Sequence, residues 1–126
     1  MKILGIDYGR SKIGIAIGET ETKSAEPLEV IKLSNCELQI KEIIGRENIK
    51  MIVLGLPGEK MDKEIKKFGE ELKKETGLPV EYFDETLSTQ DAQRILINND
   101  RKRKTRKERE DAVAAAIMLE YWLETL

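Results

Sequence analysis

Three acidic positions in this chain could share one ion. Asp7 ends the segment Lys2-Ile3-Leu4-Gly5-Ile6-Asp7-Tyr8-Gly9, the pair Asp84-Glu85 leaves a second apolar segment, and Asp111 opens the run Asp111-Ala112-Val113-Ala114-Ala115-Ala116. A carboxylate at the end of a strand that is apolar on both faces is costly to bury unless something pairs with it, and a metal ion is one such partner. The chain has no histidine. That excludes serine–histidine and cysteine–histidine catalysis, histidine general bases and histidine-ligated zinc. The single cysteine, Cys36, excludes an internal disulfide and a cysteine-cluster metal site, and it reads as a small filler on a helix face. Carboxylates alone suit a hard cation such as magnesium, which takes oxygen ligands and keeps waters open for a substrate phosphate. Two such ions about 4 Å apart can activate a water and stabilise the leaving oxygen of an in-line phosphoryl displacement.

Each acid also has a plain structural reading. Asp-x-Gly is common in turns, where the carboxylate accepts from nearby backbone amides. An acid in a helix's first turn complements the helix dipole, and that is the commoner role of a residue placed like Asp111. Asp84 and Glu85 are harder to explain this way, because Ser88 is already placed to cap the following helix. The residues alone leave open which of the two would be the ligand. Gly55-Leu56-Pro57-Gly58 either turns the chain or lets backbone amides approach a phosphate, and it lacks the Gly-Lys-Ser/Thr ending of a nucleoside-triphosphate loop.

Charge is unevenly spread. Net charge is −2, yet residues 101–109 hold seven basic residues and one acid, while the other 117 residues hold 15 basic and 23 acidic. An acidic body with one dense basic segment (Arg101, Lys102, Arg103, Lys104, Arg106, Lys107 and Arg109) points to a local polyanion contact. Such contacts go to phosphates and carry little sequence information.

The elements that must position these groups follow from periodicity. Residues 2–8 and 12–18 read as antiparallel strands joined by Gly9-Arg10-Ser11, and 28–33 as a half-exposed edge strand. Ser34-Asn35-Cys36-Glu37 matches a capping box opening a helix to about Asn48. Residues 50–56 form a buried strand, and Met61, Ile65, Phe68 and Leu72 a helix stripe ended by Gly77 and Pro79. A strand at 79–84, a helix capped by Ser88, a basic loop at 98–108 and a last helix at 108–123 complete the chain. The order β-β-β-α-β-α-β-α-α implies an α/β fold with a five-stranded mixed sheet and helices on both faces. Its 126 residues, 40% of them hydrophobic, fit a single domain spanning 1–126. No apolar run reaches membrane-spanning length and no signal-peptide pattern opens the chain, which reads as cytoplasmic with no membrane partner. Ligands collect at the carboxyl ends of parallel strands, where Asp7, Gly55–Gly58 and Asp84-Glu85 are expected.

With these residues assembled, the sequence resembles the YqgF/RuvX family, whose members are labelled pre-16S rRNA nuclease or Holliday junction resolvase. The resemblance rests on Gly5-Ile6-Asp7-Tyr8-Gly9, Lys12-Ile13-Gly14-Ile15-Ala16, Val53-Leu54-Gly55-Leu56-Pro57, Asp84-Glu85-Thr86-Leu87-Ser88-Thr89 and Asp111-Ala112-Val113-Ala114-Ala115-Ala116. Singly these are unspecific; in this order, over nearly the whole chain, they are specific. Two positions depart from the family pattern: Thr86, and Lys12, usually and commonly arginine respectively.

The resemblance implies an RNase H-like fold and Asp7, Glu85 and Asp111 as catalytic, metal-binding acids. The resulting expectation is an endonuclease of structured nucleic acid, dependent on Mg2+ or Mn2+. Asp7 would bridge the metals, the basic run would hold the phosphate backbone, and Lys12 and Arg10 would lie near the scissile group. The resemblance favours the 16S rRNA precursor as substrate, and a monomer or weak homodimer is expected. A resolvase of branched DNA needs a dimer, since two opposed cuts require two sites. A non-catalytic binding module would bind without cleaving. A kinase-like reading of the strand-Asp-x-Gly-strand opening would need two such domains around a nucleotide.

Overall fold

In a computed structural model the described residues are 1–58, 60–84 and 109–126. The strands are β1 (Lys2–Tyr8), β2 (Lys12–Glu19), β3 (Ser24–Lys32), β4 (Met51–Leu56) and β5 (Val80–Asp84). The helices are α1 (Cys36–Glu47), α2 (Met61–Thr76) and α3 (Glu110–Glu124). The sheet order is β3-β2-β1-β4-β5. β1–β2 and β2–β3 are antiparallel, and β1–β4 and β4–β5 are parallel. This is the expected five-stranded mixed sheet.

β1 lies at the centre because both of its faces are apolar. Leu4 and Ile6 join Ile13, Ile15, Ile52 and Leu54 in a cluster filled by Ile40 and Ile43 of α1 and Ile65, Phe68 and Leu72 of α2. Ile3 faces the other way and packs with Ala16, Val53 and the α3 residues Ala115, Met118 and Leu119. Helices therefore cover both faces, with α3 alone on the second among the described elements. That second face is lined by small residues. A Cβ at Gly5 would collide with the Leu119 side chain, and one at Gly18 would lie 3.3 Å from it. Their absence lets α3 sit close to the sheet.

Three local expectations are corrected. β3 starts at Ser24 rather than at 28 and ends at Lys32. It runs through Pro27 because it is an edge strand, where a missing N–H costs no ladder bond. The register steps from Ile15↔Glu29 to Ala16↔Pro27, leaving Leu28 as the extra residue of a bulge. The capping box at Ser34–Glu37 does not form. Leu33–Asn35 makes a 3-10 turn whose carbonyl at Leu33 accepts the Cys36 N–H, and Asn35 precedes α1 without a side-chain cap. The local turn has taken Ser34 out of the capping position. The last helix starts at Glu110, two residues later than expected, and its buried surface extends past one stripe to Ile117 and Leu123.

β4 and β5 each begin one residue later than expected, at Met51 and Val80, and β2 runs one residue further, to Glu19. Gly77 closes α2 at φ 71°, donating its N–H to the Lys73 carbonyl at 2.9 Å. The helix expected after Ser88 lies outside the described residues. No helix among the described residues is long and apolar enough to cross a membrane.

Candidate active site

Strand alternation fixes where Asp7 stands. Leu4 and Ile6 face α1 and α2, so Ile3, Gly5 and Asp7 share the α3 face. Asp7 pairs across the ladder with Gly14 of β2. Gly14 is where α3 touches down: a Cβ there would collide with the Asp111 carbonyl and lie 2.7 Å from the Ala112 nitrogen. Cα atoms of antiparallel partners are roughly 4.5–5.5 Å apart. The first turn of α3 thus stacks on the residue opposite Asp7, which puts Asp7 and Asp111 on the same face at the carboxyl end of β1. Both are half-buried. Lys12, two residues before Gly14 on the same face of β2, places its Nζ 3.5 Å from Asp111 Oδ2.

Asp84 stands apart from this pair. It pairs with Leu56, and both share the parity of Val80 and Tyr82, which pack on the α1/α2 cluster. It therefore belongs to the face opposite Asp7. Glu85 and residues 101–107 of the basic run lie outside the described residues. Arg10 is exposed in the β1–β2 turn. That turn is tight: the Gly9 N–H donates to the Lys12 carbonyl at 3.0 Å, and a Cβ at Gly9 would lie 2.6 Å from the same oxygen.

Two further residues have local tasks. Arg109 donates from its guanidinium to the Pro27 carbonyl at 3.1 Å, tying the start of α3 to the bulge of β3. Gly58, at φ 81°, donates its N–H to Asp62 Oδ1 at 2.9 Å. The glycine-rich exit of β4 thus serves the first turn of α2 with that amide.

Sequence reasoning missed Gly14 as the seat of Asp111 and Arg109 as a tether. Gly14 carried a signal, since an isolated glycine inside a strand marks a bulge or a close backbone approach. Nothing local identified its partner, 97 positions away in the chain.

The chemistry left to the other groups is limited. Burial first, then the Glu64 charge, pushes the Tyr8 hydroxyl above its usual range, so it stays protonated at neutral pH. Its ring packs on Phe68 at 4.9 Å on the α1/α2 side. Burial likewise raises the Cys36 thiol, which makes it a poor nucleophile. A cleft of about 530 Å³ between Tyr8, Leu33, Cys36 and Phe68 opens on that side, away from Asp7 and Asp111. Among the described residues no group of three acids is placed to hold a metal. Asp7 and Asp111 are two carboxylates on one face, and oxygen donors of that kind fit magnesium or manganese better than zinc.

The architecture is that of the RuvC-like RNase H fold. A fowlpox virus resolvase bound to Holliday junction DNA matches with a TM-score of 0.66 at 16% identity, over 99% of this chain and 98% of that one. Thermus thermophilus RuvC, in complex with a Holliday junction substrate, matches with a TM-score of 0.58 at 18% identity, over 99% and 95%. At the level of sequence the likeness is closer. The family described as RuvX, Holliday junction resolvase, matches residues 1–125, and the chain belongs to that family. It is 35% identical to a protein of Agathobacter rectalis named "Putative pre-16S rRNA nuclease", over 100% of this chain and 96% of that protein. It is 33% identical to a protein of the same name from Moorella thermoacetica, again over 100% and 96%.

Proposed function

We propose that this chain is a divalent-metal-dependent endonuclease acting on structured nucleic acid, with the 5′ end of the 16S rRNA precursor as its substrate. The observation that carries the reading is the stacking of Asp111 on Gly14, directly across the ladder from Asp7. The names of the relatives favour the rRNA precursor. Asp7, Asp111 and Glu85 would hold the metal. Bound there, Mg2+ or Mn2+ would supply an activated water and charge stabilisation at the leaving oxygen.

The rest falls to the chain's own side chains. Asp7 and Asp111 stand on strand and helix backbone, so only side chains would need to adjust when an ion arrives. Lys12 and Arg10 border the same end of β1 and would orient the scissile phosphate. Arg101, Lys102, Arg103, Lys104, Arg106 and Lys107 would grip the backbone further out, with Arg109 at the root of that segment.

The second reading, cleavage of four-way DNA, is favoured by the family description and by the resolvase folds. One experiment separates the two: cleavage of a 16S precursor fragment and of a four-way junction, side by side, in Mg2+ and Mn2+. The expected outcome is metal-dependent cutting of the precursor. Asp7→Asn should reduce it by more than the roughly 10–100-fold typical of losing an outer-shell partner. Paired opposed cuts in the junction by a dimer would instead establish the resolvase. Salt-sensitive binding with no cutting of either substrate would defeat both readings in favour of a binding module.

A further inference from the structure

The contact between Lys12 and Asp111 carries a consequence for how the metal enters. We infer that Lys12 is a resident cation: its ammonium holds the Asp111 carboxylate in the metal-free protein, yields it to the incoming divalent ion, and then turns to the substrate phosphate. The metal and substrate steps rest on the function proposed above.

Three features support the exchange. First, the partner is well placed but weakly held. Nζ lies 3.5 Å from Asp111 Oδ2, and the Lys12 side chain is 58% exposed. Exposed pairs of this kind are worth little, so an ion of twice the charge displaces the ammonium readily. Second, only side chains need to move. The backbone of Asp111 is pinned against Gly14, where there is no room for even a Cβ. Third, lysine is a compact charge on a flexible four-carbon stem, whereas arginine would hold the carboxylate in a planar fork. Lys12 also opens β2 directly after the Gly9–Ser11 turn, so its stem can swing across the end of β1 without disturbing the ladder. An internal cation that competes for one ligand makes metal and substrate binding mutually reinforcing: the phosphate that captures Lys12 removes the competitor.

The test is Mn2+ binding to the whole chain without nucleic acid, followed by calorimetry and by the loss of free-Mn2+ paramagnetic signal. Lys12→Met should bind Mn2+ about 2–5-fold tighter than the parent, the range set by exposed ion pairs. Lys12→Arg, which keeps the charge and adds the fork, should bind no tighter than the parent. Arg10→Met removes an equal charge from the adjacent turn and should change affinity less than Lys12→Met. Unchanged or weaker Mn2+ binding by Lys12→Met overturns the inference. So does an equal gain in Arg10→Met, which would show a general field effect instead of a specific exchange. A parent protein that binds no Mn2+ would sink both this inference and the metal-dependent function. A parent that binds Mn2+ and cleaves, with Lys12→Met indistinguishable from it, would sink the inference alone.

Discussion

Gly14 and Gly5 sit on the same face of the sheet, both beneath α3, but they meet different things. At Gly5 an added Cβ runs into the Leu119 side chain, which can change rotamer. At Gly14 it runs into the Asp111 carbonyl and the Ala112 nitrogen, which belong to helix backbone and can move only with the helix. Overpacking of either kind costs about 1–3 kcal/mol. The consequences for the site should nevertheless diverge. Gly14→Ala should lower both urea stability and Mn2+ affinity, because it lifts the first turn of α3 away from Asp7. Gly5→Ala should lower stability while leaving Mn2+ affinity close to that of the parent. A Gly14→Ala protein with parental Mn2+ affinity would mean that Asp111 does not depend on this seat. At this scale the sequence was informative about Asp7, because the alternation of β1 and the tight Gly9 turn are local. It was silent about the Gly14–Asp111 contact, which joins β2 to a helix 97 positions later.

Elements were legible where their signals were periodic and misread where a tertiary or local preference won. The α2 stripe and its Gly77 end could be read directly, since left-handed backbone at that point favours glycine. The capping box of α1 could not be trusted, because a 3-10 turn claimed Ser34 first. The edge strand read from 28 onward in fact begins at Ser24 and runs through Pro27, which its edge position permits. One interaction between elements gives a pH prediction. Lys41 of α1 donates to Glu75 of α2 at 2.8 Å on the protein surface. That hydrogen bond, with the lysine's charge, lowers the Glu75 carboxyl below its ordinary value, and the same bond raises Lys41 above its own. For a lowered acid, the stabilising contribution is present above the unfolded-state value and is lost as pH falls through the folded-state one. The melting temperature of Glu75→Gln should therefore fall below that of the parent at pH 7, and the difference should close as pH drops through the lowered Glu75 range. It should also shrink in high salt, since both side chains are solvent-screened. A difference that persists in acid would assign the effect to the amide and not to the ion pair.

On the scale of the whole molecule the chain combines an acidic body with one basic segment, and that combination makes a quantitative claim about binding. A uniformly basic protein would hold polyanions over much of its surface. Here 23 acids outside residues 101–109 repel a phosphate backbone nearly everywhere else. Binding should therefore be concentrated in few contacts, and those contacts should be countable from salt dependence. The logarithm of the binding constant falls with the logarithm of salt by about 0.7–0.9 per phosphate neutralised. Replacing Lys102, Lys104 and Lys107 together by glutamine should reduce the magnitude of that slope by about 2–3. The substitution should leave Mn2+ affinity unchanged, because none of the proposed ligands Asp7, Glu85 and Asp111 belongs to that segment. Arg109→Gln should behave differently. It should cost stability through the lost Pro27 contact, and it should alter the slope by less than one phosphate's worth, because its guanidinium is already engaged. Binding measured by fluorescence anisotropy across a salt series, in metal-free buffer, would read both quantities. An unchanged slope in the triple variant would place the polyanion contact elsewhere, and the acidic body leaves Lys12, Arg10 and the sheet end as the next surface to examine.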